Sequence, residues 1–108
     1  MKEKVRIGYI GLGRRGMGVL KTNIVEMKDI EVVYISDLSE NRMKRAAEII
    51  CEKMGTMPLM TTNYRDILTD SSVDAVFIMS GWDGRVEMAI EAMRAGKYAA
   101  IEVRCAER

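Results

Sequence analysis

Val5-Arg6-Ile7-Gly8-Tyr9-Ile10-Gly11-Leu12-Gly13-Arg14-Arg15-Gly16 is the stretch on which the fold turns. Its first six residues form an apolar run that breaks at Gly11, which reads as a buried strand ending in a turn. Gly11, Gly13 and Gly16 match G-x-G-x-x-G, and the match sits between that strand and a segment with Met17, Leu20 and Ile24 on one face, which predicts a helix over residues 14–27. In this context Gly11 permits the tight turn, Gly13 lets a pyrophosphate approach the backbone, and Gly16 lets helix and strand pack closely. The helix start then offers N–H groups to the phosphates. A glycine-rich turn without a ligand is the competing reading. Arg14 and Arg15 are placed either to offset the pyrophosphate charge or as first-turn surface residues, set against the helix dipole.

Working outward, residues 30–36 are rich in β-branched side chains and predict a second strand. Asp37 closes it, 26 positions after Gly11, where the dinucleotide fingerprint places an acid that accepts from the adenosine ribose hydroxyls. Such a carboxylate repels a 2′-phosphate and favours NAD over NADP. A turn residue ahead of the next helix is the alternative, and Arg42 reads either as a solvated surface arginine or as a partner for that phosphate. Ser39 is a natural N-cap for a helix whose Met43, Ala46, Ala47, Ile50 and Met54 share one face and which stops at Gly55. A short strand over residues 58–62, a helical turn over 64–68 and the strongest strand, over 73–79, follow. After the loop Ser80-Gly81-Trp82-Asp83-Gly84, residues Val86, Ala89, Ile90 and Met93 mark a further helix, stopped at Gly96, and residues 98–103 predict the last strand.

Strands alternating with helices imply right-handed crossovers and a parallel sheet covered on both faces. The expected fold is a three-layer α/β/α doubly wound sheet of the Rossmann type with strand order 3-2-1-4-5. Ligands in such sheets lie beyond the carboxyl ends of the strands, which points Ser80, Gly81 and Trp82 at the nicotinamide end of a bound dinucleotide. Asp83 reads as a helix N-cap.

Composition narrows the chemistry. The 108 residues are enough for one domain. With no histidine, imidazole-based catalysis and His-ligated metal sites are excluded, and no metal is expected. Seventeen basic against 16 acidic side chains leave a net charge of +1, which offers nucleic acid no general attraction. Cys51 and Cys105 are too few for a zinc ribbon or a disulfide framework and read as reduced thiols of a cytoplasmic protein. The longest strongly apolar stretch, over residues 75–82, is far short of the roughly 20 residues of a membrane span. Ten methionines against six aromatics imply a core filled largely by thioethers.

Together these residues resemble the N-terminal half of the glucose-fructose oxidoreductase / inositol dehydrogenase family, Gfo/Idh/MocA. The likeness covers nearly the whole chain: the opening strand and fingerprint, Ser36-Asp37, Asn63-Tyr64-Arg65-Asp66-Ile67-Leu68, and the stretch from Glu87 to Tyr98 with its Ala95-Gly96-Lys97. The resemblance implies NAD, or NADP, as cofactor and places Glu102 near the nicotinamide. Members carry Glu-Lys-Pro at the end of the fifth strand; here Glu102-Val103-Arg104 keeps the acid and loses the lysine, and a loop histidine of relatives is replaced by Arg85, which is no base near neutral pH. No residue therefore receives a catalytic label. Members also continue into a second α/β domain that binds substrate and forms the oligomer interface, so the chain is expected to be one NAD(P)-binding domain of a two-domain protein, inactive alone and prone to dimerise through exposed apolar surface.

The implied activity of the parent is that of a homo-oligomeric dehydrogenase acting on a sugar, polyol or related hydroxyl compound. An NAD-dependent glycoside hydrolase is the alternative, since a branch with Glu-Val at the fifth strand includes such enzymes; a non-catalytic nucleotide-binding module is a third. A methyltransferase, whose glycine-rich turn also follows a first strand, is the weaker rival.

Overall fold

The computed structural model describes residues 4–79 and 84–101. Chain order is β1 (Val5–Ile10), α1 (Arg14–Thr22), β2 (Ile30–Ser36), α2 (Glu40–Met54), β3 (Leu59–Thr61), α3 (Arg65–Leu68), β4 (Ala75–Ile78), α4 (Gly84–Arg94) and β5 (Tyr98–Ile101). The strands form one parallel sheet in the order β3-β2-β1-β4-β5, as the alternation predicts.

Period-two alternation sorts the side chains into two cores. Ile7 and Tyr9 of β1 and Ala75 of β4 face α1 and α2, where they meet Leu20, Met43, Ala46, Ala47 and Ile50. Ile10, Val76 and Ile78 face the other way, onto Ile67 and Leu68 of α3 and Ala89 and Ala92 of α4. In β2 the pairing with β1 slips between Ile7 and Gly8, which skips Val33. That bulge puts Val32 and Ile35, three apart, into the same core, where strict alternation would have sent them to opposite faces.

Helix ends follow local chemistry. Ser39 caps α2 by accepting from the Arg42 N–H at 3.3 Å, and Gly55 ends it at φ +78°, a conformation that costs a Cβ-bearing residue. The first helix is shorter than expected: it stops at Thr22, and Ile24–Glu26 form a separate 3-10 turn. Thr22 Oγ1 bonds both the Gly18 carbonyl and Asn23, and after the break Ile24 and Val25 both pack into the core.

Of the four residues that mark α4 in the sequence, Ala89 packs inward beside Ala92, whereas Val86, Ile90 and Met93 are exposed. Two positions hidden in the sequence seat the second layer. Gly8 lies under α3, and a Cβ there would collide with Cγ2 of the fully buried Ile67. Lys97 is buried and its Nζ donates to the carbonyls of Asp70 and Val73, each at 2.8 Å, which ties the start of β5 to the approach to β4.

Gly8→Ala is expected to destabilise the chain by about 1–3 kcal/mol through overpacking. Gly18, in α1 with open space at its Cβ position, should behave oppositely, and Gly18→Ala should stabilise by about 0.5–1 kcal/mol. Urea denaturation midpoints of the two variants check both signs.

Candidate functional site

At the carboxyl edge of the sheet β1 ends between β2 and β4, and the chain bends where the two crossovers diverge. Gly11 makes the bend at φ +99°, with its N–H donating to the Ser36 carbonyl at 2.9 Å. Helix α1 starts hard against it. A Cβ on Gly16 would run into the Gly11 carbonyl oxygen and lie 3.3 Å from Met79 Cβ, so only glycine allows this approach. The buried Tyr9 hydroxyl, from beneath, donates to the Gly16 carbonyl at 2.7 Å. Gly13 differs from both. It is the N-cap of α1 at φ −67°, it gives no side-chain cap, and no heavy atom lies within 4 Å of its Cβ position.

A cleft of about 620 Å³ opens over this bend, inside the usual range of about 300–1,000 Å³ for cofactor sites. Gly11, Gly13, Arg14, Arg15, Gly16 and Asp37 all line it. Leu12 does not: its side chain is in the core, and its N–H donates to Asp37 Oδ1 at 2.8 Å. Oδ2 of the same carboxylate accepts from the Ser39 N–H at 2.9 Å, so Asp37 clips the glycine turn to the start of α2. The bond to Ser39 fits the alternative reading of Asp37 as a turn residue ahead of the next helix, and the bond to Leu12 adds a tie to the glycine turn that the sequence did not show. Ser80, Gly81, Trp82, Asp83, Glu102, Val103, Arg104 and Cys105 lie outside the described residues.

The cleft fits a diphosphate. The backbone at Gly13 is open to an approaching anion, α1 has no acidic residue in its first turn, and Arg14 and Arg15 bring positive charge to the rim. Beyond Asp37 the walls are residues that the motif search missed: Leu38, 80% exposed, and Thr62, Asn63 and Tyr64 after β3. Their signal was positional, since each lies at or just past the carboxyl end of a predicted strand.

Tyr64 links this wall to α4. Its hydroxyl donates to Glu91 Oε1 at 2.9 Å, while Arg65 stacks over its ring and donates to Glu91 Oε2 at 3.2 Å. The Tyr64 hydroxyl, together with Arg65, holds the Glu91 carboxyl below its ordinary value. Burial, reinforced by Glu91, pushes the Tyr64 hydroxyl up.

The model of the Gfo/Idh/MocA oxidoreductase family, NAD-binding Rossmann fold, matches residues 5–103. The chain belongs to this family. It is an NAD(P)-binding Rossmann domain of the oxidoreductase type. A glycosyl hydrolase family 109 protein of Shewanella baltica is 33% identical over 105 residues, covering 94% of this chain and 23% of the relative. The chain thus spans about a quarter of the length of such relatives. The apo scyllo-inositol dehydrogenase of Lactobacillus casei superposes with a TM-score of 0.80 at 24% identity, over 95% of this chain and 29% of that one, and shows the same fold. A 3-ketoreductase of Actinomadura kijaniata, solved with NADP, gives 0.76 at 25% identity, over 92% of this chain and 30% of that one. No described helix of the Gfo/Idh/MocA chain is long and apolar enough to cross a membrane.

Two predictions follow from the site. Gly13→Ala should lower the melting temperature only slightly, through the poorer N-cap, and weaken NADH binding, whereas Gly16→Ala should lower the melting temperature far more; fluorescence titration beside thermal melts separates the two. The second concerns pH. Because the folded Glu91 carboxyl is more acidic than in the unfolded chain, its stabilisation is complete above the ordinary carboxylate range and disappears as pH falls through the lowered value. Melting of Glu91→Ala should therefore lie below wild type near neutrality, and the gap should close in acid.

Proposed function

We propose that residues 1–108 are the NAD(P)-binding domain of a larger oxidoreductase that acts on a hydroxyl-bearing carbon of a sugar, polyol or related compound. Gly11, Gly13, Arg14, Arg15 and Gly16 hold the pyrophosphate, Asp37 faces the adenosine ribose, and Ser80, Gly81, Trp82 and Glu102 serve the nicotinamide end. Leu12 acts indirectly, through the bond that anchors the turn to Asp37. The observation that carries this reading is the open backbone of Gly13 at the start of α1, in the crook that Gly11 and Gly16 form over the middle of the sheet.

In this assignment each residue has a distinct task. The α1 start and Gly13 bind the diphosphate through main-chain amides, which no side-chain rotamer has to order. Arg14 and Arg15 offset its charge. The cofactor, when bound, supplies the hydride donor or acceptor. Alignment of the substrate carbon falls to parts of the longer protein outside residues 1–108. The parent works as a homo-oligomer in the cytoplasm; the low cysteine count, too small for a disulfide framework, suits that compartment.

The 33% identity to a glycosyl hydrolase family 109 protein favours a second reading, in which the parent cleaves a glycoside with no net redox change. Glu102-Val103 agrees with it. Calorimetry of the chain with NADH and with S-adenosylmethionine tests the cofactor class: NADH is expected to bind, and preference for S-adenosylmethionine would overturn the assignment. Product analysis of the longer protein separates the activities, since a dehydrogenase accumulates NADH from a polyol, whereas a hydrolase releases sugar without it.

A further inference from the structure

We propose that the β3 edge of the sheet is a homotypic contact, on which a second copy of this chain pairs about a twofold axis beside Met60 and Thr61. The inference is independent of the dinucleotide assignment. It locates the dimerisation expected of residues 1–108 at the opposite end of the sheet from β5.

β3 is an outermost strand, and no described strand pairs with its outer side. Such an edge presents unpaired main-chain donors and acceptors, and folds ordinarily blunt it with charged side chains. Here that charge is missing. Residues 55–63 carry none, although 31% of the chain is charged, and Met57, Leu59 and Met60 are 62%, 59% and 45% exposed. Leu59 lies level with Tyr34 and Met60 level with Ile35, so alternation puts the two on opposite faces and the apolar surface wraps round the edge. Surface of that shape suits a partner that continues the sheet, not one that covers a single face.

The flank of α2 selects the partner. Glu40 and Lys44 line a groove with Met43, Met60, Thr61 and Thr62, and neither forms an ion pair with another described residue. A twofold contact sets a surface against itself, so every charge on it must find its opposite on that same surface. Glu40 and Lys44 meet this condition. They are one turn of α2 apart, about 6 Å along the helix axis, close to the roughly 6.6 Å that two strand residues span. One axis, normal to the sheet beside Met60 and Thr61, therefore runs β3 antiparallel to its copy and keeps both α2 helices on one face. It sets Glu40 against Lys44 of the partner subunit and Lys44 against the partner's Glu40. The flexible Met60 thioethers fill the space between the helices.

Sedimentation velocity of residues 1–108 over a concentration series tests this, with melting transitions verifying that each variant folds. Wild type is expected to show a monomer–dimer equilibrium, and Met60→Lys to stay monomeric. Ile90→Lys, on the exposed stripe of α4, should dimerise as wild type does. Glu40→Lys and Lys44→Glu each turn two attractions into two repulsions, so each should weaken the homodimer by about tenfold or more. Mixed together, these two variants should pair about as tightly as wild type, because every facing charge is again opposite. The double variant Glu40→Lys/Lys44→Glu should dimerise alone for the same reason. Loss of the dimer in Ile90→Lys with retention in Met60→Lys, or failure of the mixed variants to associate, would overturn the proposal. So would a monomeric wild type; if Met60→Lys then disrupted the longer protein, the edge would belong to another of its segments. None of the substituted residues lines the cofactor cleft, so NADH titration of the same variants tests the dinucleotide reading separately.

Discussion

The close approach of α1 to the end of β1 governs the rest of this molecule. The Gly11 carbonyl occupies the space that a Gly16 side chain would need, and Met79 closes the other side. Because nothing larger than hydrogen fits, the helix starts directly above the strand and its first amides converge on one small volume. The Tyr9 hydroxyl braces the contact from the core, and the Asp37 carboxylate clips the turn from the side. Core packing and ligand geometry therefore share the same few atoms: the strand residues that fill the α1/α2 layer also set the height at which the turn emerges.

Much of this was legible in the residues alone. The strand order follows from alternation and crossover handedness, and Ser39 and Gly55 mark the limits of α2 by capping chemistry that is strictly local. What sequence periodicity could not resolve depends on contacts between distant segments. The exposed stripe of Val86, Ile90 and Met93 has the spacing of a buried face, but α4 instead turns its small residues Ala89 and Ala92 to the sheet, where close approach favours them. The break after Thr22 is equally invisible to periodicity, because Ile24 continues the helical pattern while packing from a different turn.

The candidate site divides in the same way. Gly11, Gly13, Arg14, Arg15, Gly16 and Asp37 are close in sequence or tied to the motif by a fixed interval, and the fold brings them to one cleft. Leu12 is the exception, since the bend at Gly11 turns its side chain into the core that holds Ile7 and Tyr9 and leaves only its N–H to the turn. Thr62, Asn63 and Tyr64 enter because β3 pairs with β2; the expected strand order contains that pairing, but no motif marks these three side chains as cleft wall. The double engagement of Asp37 likewise needs coordinates, since an acid that binds a ribose and one that clips a turn look identical on the page.

The unequal circumstances of Gly13 and Gly16 bear on how such a domain drifts among descendants. Gly16 is constrained by the protein's own atoms, whereas the space beside Gly13 is empty until something enters it. A lineage that abandoned its nucleotide would be free to acquire a side chain at the middle glycine and would still have to keep the last one. The loss of one with retention of the other would thus be the fossil trace of a scaffold that outlived its ligand.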